Sequence, residues 1–208
     1  MRNMDWFEWH SVYDNPNISL KIRLAVIADF LKFAWENLPR ELRILSICAG
    51  QAREIEKAVS EGNLDHRSGI DLLDLSEANL AIAVRRLAPL SKGTVTSHVC
   101  DAGHSSSYEG HVPANCLVIV GVFSNLSLAH AQRLVARLPQ FCSPGAYVIW
   151  TRKRDDTDSA GNLRAAFGIA QFRLVRFALV DDVFVVIHQY CGELQRVQLG
   201  ERIFEFVS

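Results

Sequence analysis

Nowhere does the 208-residue chain hold the roughly 18–20 consecutive apolar residues of a membrane-spanning helix. Its opening, Met1-Arg2-Asn3-Met4-Asp5-Trp6, has no apolar leader core. Basic excess is also missing: 22 Lys+Arg stand against 23 Asp+Glu, a net charge of −1, where a dedicated nucleic-acid binder carries a basic stripe. Cysteine is scarce. Cys48, Cys100, Cys116, Cys142 and Cys191 form an odd set without any C-x-x-C pair, which reads as buried thiols in a reducing cytosol and excludes a zinc site or a disulfide frame. There is no internal repeat, low-complexity tract or long linker. What remains is a cytoplasmic protein of one compact domain, with no membrane and no nucleic-acid partner expected; 49% apolar residues suffice for a full core.

Aromatics are concentrated at the start, with Trp6, Phe7, Trp9, Tyr13, Phe30, Phe33 and Trp35 in the first 35 residues. Asp14-Asn15-Pro16-Asn17 interrupts them with turn chemistry. The pattern predicts a short aromatic helix over 4–12 and a longer one from Ser19, a good N-cap, to Leu38 before Pro39. Residues 1–40 thus read as a helical cap on a domain spanning 41–208. Beyond Arg43, short apolar runs alternate with amphipathic stretches. Strands are expected at 44–48, 70–73, 95–100, 116–120 and 147–150, and helices over 52–60, after Ser76 and after Ser127. Ser143-Pro144-Gly145 is a turn. The runs 172–179 and 183–190 are joined by Val180-Asp181-Asp182, too short for a parallel crossover, so they form an antiparallel hairpin. The result is an α/β sheet, mainly parallel.

In such sheets ligands bind beyond the carboxyl ends of the strands, near the switch in strand order. After the first strand comes Cys48-Ala49-Gly50-Gln51-Ala52-Arg53, a small-residue turn whose following amides attract an anion. It lacks the G-x-G-x-x-G of a dinucleotide site. After the second come Asp74 and Leu75, an acid placed to accept from a ribose diol, or simply to favour the next helix N-terminus. Asp101-Ala102-Gly103 follows the third, with a carboxylate for an amino group and room for a flat ring. Gly121-Val122-Phe123-Ser124-Asn125 follows the fourth, where Asn125 either faces the reacting atoms or caps a helix.

Taken together, these strand ends resemble class I S-adenosylmethionine-dependent methyltransferases, over roughly residues 40–190. Residues 44–52 look like the family's first motif, 74–80 its second, Asp101-Ala102 its third, 117–126 its fourth, and 143–149 the turn and strand that follow. The chain departs from the pattern at Ser46, where the family usually has an acid, and at Cys48 and Ala52, where it usually has glycine. The resemblance implies a Rossmann-like, mostly parallel seven-stranded sheet with helices on both faces and a C-terminal antiparallel hairpin. It also implies S-adenosylmethionine as cofactor and S-adenosylhomocysteine as product, held by Cys48, Ala49, Gly50, Gln51, Arg53, Asp74, Leu75, Asp101, Ala102, Gly121 and Val122.

On the acceptor side, His10 and Tyr13 share a helix face with Trp6 and Trp9 nearby, either as a lid carrying a base or as ordinary packing. With Asn125 they are the candidate catalytic residues. His104, His111 and His130 show no metal spacing and read as solvated, so no metal is expected; His188 reads as structural. Arg152-Lys153-Arg154, offset by Asp155, Asp156 and Asp158, reads as a solvated loop, and residues 155–166 as a segment able to close over substrate. The expected function is methyl transfer to a small-molecule acceptor. An RNA methyltransferase and a non-catalytic adenosine-ligand binder are the alternatives.

Overall fold

The computed structural model describes residues 17–62, 68–154 and 159–207. The first helix, α1 (Ile18–Glu36), is capped by Asn17, whose Oδ1 accepts the Leu20 N–H at 2.8 Å. The helix therefore begins before Ser19, the expected cap. The alternating region follows as β1 (Arg43–Ile47), α2 (Arg53–Glu61), β2 (Gly69–Asp74), α3 (Glu77–Leu87), β3 (Thr94–Val99), β4 (Ala114–Ile119), α4 (Leu128–Arg137), β5 (Cys142–Lys153), α5 (Ser159–Ile169), β6 (Phe172–Val180) and β7 (Val183–Tyr190). Ser76 and Ser127 cap α3 and α4 as their sequence contexts predict, each hydroxyl accepting the N–H three residues on.

The strands form one seven-stranded sheet in the order β3-β2-β1-β4-β5-β7-β6. β1 to β5 run parallel, and β7 is antiparallel to both β5 and β6. The period-2 alternation of each buried strand divides its side chains between two cores. Leu45, Ile47, Leu117 and Ile119 pack with Leu134, Val135, Leu163 and Phe167 of α4 and α5. Ile44, Ile70, Val118 and Ile149 pack on the other face with Ile27, Leu31, Ile55 and Leu80 of α1, α2 and α3. Because the sheet is covered on both faces, these strands read as apolar runs. The order reverses between β1 and β4, which places the switch point beside the Cys48–Ala52 turn.

Four local expectations change. Ser143-Pro144-Gly145 lies inside β5: the partner register jumps from Ala114↔Cys142 to Cys116↔Tyr147, so the turn chemistry is absorbed as a bulge. Arg152 and Lys153 belong to that strand rather than to a solvated loop; Arg152 is buried and its guanidinium donates to the Phe123 carbonyl at 2.5 Å. Within 155–166, residues 159–166 lie in α5, whose Leu163 and Phe167 are fully buried, so this helix is core rather than lid. The cysteines are not uniformly buried: Cys116 and Cys142 are, Cys48 and Cys100 are partly so, and Cys191 is exposed.

The histidines are less solvated than their spacing indicated. His111 packs on His98 with ring centroids 4.0 Å apart, and Asp71 lies 3.7 Å from the first and 3.8 Å from the second. Three separate segments supply this cluster, which is why spacing along the chain could not show it. His188 is buried and structural: its Nδ1 accepts the Trp150 indole N–H at 3.0 Å, and Phe167 stacks on its ring at 4.3 Å.

Candidate cofactor and substrate site

A cavity of about 360 Å³ opens at the carboxyl ends of β1 to β5. Its floor begins at the turn after β1. Cys48, Gly50 and Ala52 all take left-handed φ values, 53°, 51° and 48°. Glycine adopts such angles without cost, whereas a residue with a Cβ gives up roughly 1–2 kcal/mol. The turn thus keeps its tight left-handed course at two positions occupied by larger residues, a strain of the kind that gathers at ligand sites. Burial, with Asp74 and Asp101 adding to it, pushes the Cys48 thiol above its ordinary range.

Asp74 ties the second strand end to the first. One carboxylate oxygen accepts the Gly50 N–H and the other the Ser76 N–H, both at 2.8 Å. Asp101 is fixed in a similar way: it accepts the Gly103 N–H at 2.8 Å and pairs with Arg202 at 2.5 Å. Burial alone raises the Asp101 carboxyl, but Arg202 and the Gly103 N–H together outweigh it and hold the carboxyl below its ordinary range. Ala102, almost fully buried, puts a small apolar side chain on the wall next to Asp101. Gly121 follows β4 with its N–H donating to Thr151 Oγ1 at 2.8 Å, which joins the ends of β4 and β5.

Of the residues singled out from sequence, Cys48, Ala49, Gly50, Asp74, Leu75, Asp101, Ala102, Gly121, Val122 and Asn125 line this one cavity. Gln51 and Arg53 do not line it. Gln51 is buried and its amide donates to Asn79 Oδ1, while Arg53 donates to Gln51 Oε1; both brace the turn from behind. Asn125 directs its amide back to the Gly121 carbonyl at 2.7 Å, and its own carbonyl accepts the Val207 N–H. His10 and Tyr13, like Trp6 and Trp9, lie outside the described residues.

Sequence reasoning missed Thr151, Lys153 and Val183 on the wall, and two larger parts of it. One is the segment after β7, which carries no periodic pattern. It returns across the strand ends, where the Ile203 N–H donates to Gly103 O at 2.7 Å and brings Phe204 and Phe206 to the cavity. A Cβ at Gly103 would lie 2.5 Å from the Phe204 carbonyl oxygen, so only glycine admits this crossing. His130, expected in solvent, instead contacts the same segment at the Glu205 backbone. The other part is a pair of charged residues, Arg23 of α1 and Glu54 in the first turn of α2. Glu54 is only 7% exposed. Desolvation pushes its carboxyl up to about 7, against the lowering influence of its own backbone N–H and of Arg23. Their one sequence signal was charge on an otherwise buried helix face.

No family model and no curated protein matches the sequence. Solved structures share its fold. The magnesium protoporphyrin IX methyltransferase ChlM of Synechocystis, solved with bound SAM, is similar at a TM-score of 0.64 and 12% identity, covering 91% of this chain and 86% of its own. The N-methyltransferase NodS of Bradyrhizobium japonicum gives 0.60 at 11% identity, with 86% and 99% covered. The fibrillarin pre-rRNA processing protein of Methanococcus jannaschii gives 0.59 at 11%, with 74% and 68% covered. The sheet order, the parallel strands, the terminal antiparallel pair and these likenesses agree. The chain has the fold of the class I S-adenosylmethionine-dependent methyltransferases.

Proposed function

We propose that the chain is an S-adenosylmethionine-dependent methyltransferase acting on a small-molecule oxygen or nitrogen nucleophile. The observation that carries this reading is the Asp74 carboxylate, fixed between the Gly50 and Ser76 N–H groups on the wall of a cavity at the switch point. The cofactor fits the residues present. The left-handed turn at Cys48, Gly50 and Ala52 brings backbone close to the cavity, Asp74 offers acceptor lone pairs to a ribose diol, and the small Ala102 leaves room for a ring beside Asp101. When bound, S-adenosylmethionine supplies a methyl group already activated on a sulfonium.

The protein's own contribution is then positioning and dehydration. Phe204, Phe206, Leu75 and Val122 supply apolar walls that exclude water. Ser124, Asn125, Thr151 and Lys153, at the ends of β4 and β5, give the acceptor side hydroxyl, amide and ammonium groups to orient a polar substrate. His10 or Tyr13 would take a proton where the acceptor must lose one. A net charge of −1 favours a small molecule over RNA, although neighbours of both kinds share the fold.

Titration calorimetry with S-adenosylmethionine and S-adenosylhomocysteine tests the cofactor, and a screen of small-molecule acceptors for S-adenosylhomocysteine release tests the reaction. Absence of binding by both ligands overturns the reading. Binding without turnover on any acceptor leaves an adenosine-ligand binder, and salt-sensitive binding of tRNA restores the RNA alternative.

A further inference from the structure

We infer that Glu54 and Arg23 form the recognition pair for the zwitterionic amino-acid end of the cofactor, with Glu54 receiving the ammonium and Arg23 the carboxylate. This rests on the S-adenosylmethionine reading above. It assigns the ammonium to a residue of α2.

Three acids line the cavity among the described residues: Glu54, Asp74 and Asp101. Asp74 is already assigned to the ribose diol, and Asp101 is neutralised by Arg202 and held by the Gly103 N–H. Ser46 is a neutral side chain, 2% exposed in the middle of β1, and is not on the cavity wall. Among the described residues, Glu54 is the remaining carboxylate of the wall. It is more than nine-tenths buried, and among the described residues no cation closes an ion pair with it; Arg23 acts on it through charge alone. A buried carboxylate without a bonded cation is costly to keep ionised. Its carboxyl is accordingly raised, the condition of a group whose cationic partner is a ligand. Arg23 approaches the same cavity from α1, so the wall adds a cation to this anion. Among the parts of S-adenosylmethionine, the α-amino acid end alone carries that pair of charges on adjacent groups.

The test is calorimetry on three ligands: S-adenosylhomocysteine, the same molecule lacking its α-amino group, and 5′-methylthioadenosine, which lacks the amino-acid end altogether. We expect Glu54→Gln to weaken S-adenosylhomocysteine at least tenfold and to leave 5′-methylthioadenosine within twofold. The deaminated ligand should bind wild type weakly and show no further loss in the variant. Glu54→Asp, which keeps the charge, should recover part of the affinity, and Arg23→Gln should again spare 5′-methylthioadenosine. Unchanged S-adenosylhomocysteine affinity in Glu54→Gln overturns the pair, as does an equal loss for all three ligands, which would mark a structural role. In either case wild-type binding leaves the cofactor reading standing. If wild type binds none of the three, both the pair and the cofactor reading fall.

Discussion

Asp74 serves two ends at once, since its oxygens hold the Gly50 and Ser76 N–H groups while facing the cavity. Asp74→Ala is expected to weaken S-adenosylhomocysteine binding by roughly 1–3 kcal/mol, the cost of leaving hydrogen-bonding groups unpaired. Calorimetry giving unchanged affinity would remove Asp74 from the ribose role. Glu54 makes a prediction about stability. Its carboxyl is raised from an ordinary 4.5 to about 7, so the folded chain retains a proton that the unfolded chain releases between those values. Stability therefore falls as pH rises through that window. Glu54→Gln, neutral throughout, should make the ligand-free protein more stable at pH 8, by on the order of 3 kcal/mol at most. The gain should vanish towards pH 4.5. Thermal denaturation at pH 5 and pH 8 decides it; an equal difference in Tm at both would detach the effect from the carboxyl. A residue that costs stability when the site is empty is the usual trade made for binding.

At the scale of elements, β5, β7 and α5 meet around His188. Burial pushes its imidazole down to about 4, with Arg164 adding to the effect. The unfolded chain takes up a proton at this residue near 6.5 while the folded chain resists it, so stability is lost as pH falls from about 6.5 through 4. His188→Gln should be less stable at pH 8, through the lost stacking on Phe167, yet decline less steeply over that acid range. Urea denaturation at a series of pH values measures the slope, and an unchanged slope would exclude His188 as its source. The N-terminal element makes a separate prediction. Deleting residues 1–15 should spare cofactor affinity and abolish turnover, if Trp6, Trp9, His10 and Tyr13 line the acceptor pocket. A cofactor-bound structure placing those side chains more than ~10 Å from the methyl position, beyond direct contact or one bridging water, would make them ordinary packing.

For the whole molecule, the segment after β7 closes the site and completes a core. Ile203 and Phe204 are buried at 1% and 2% exposure, while Phe206 remains 38% exposed on the cavity. Phe204→Ala should cost about 3–5 kcal/mol of stability, the range for emptying a buried aromatic site. Phe206→Ala should cost less stability and more ligand affinity, read as Tm against calorimetric Kd. By contrast, Arg202 and Asp101 are both more than 40% exposed as side chains, so solvent screens their pairing and it adds little to stability.

What the sequence determined by itself is what neighbours within one helix turn or one strand can encode. The apolar run 44–48 and its counterparts marked the buried strands, Ser76 and Ser127 marked helix starts, and Val180-Asp181-Asp182 required a hairpin. Because parallel sheets place ligands at strand ends, Cys48, Asp74, Asp101 and Gly121 could be singled out before any contact between them was known. The tertiary structure alone decided the rest. Register across β4 and β5 turned Ser143-Pro144-Gly145 into a bulge, and packing against Trp150 made 159–169 a core helix. Arg202 meets Asp101 from 101 residues away, and Arg23 and Glu54 meet at one wall from two different helices. Such encounters leave no period in the chain, because they are set by how two covered faces of a sheet bring distant segments to the same edge.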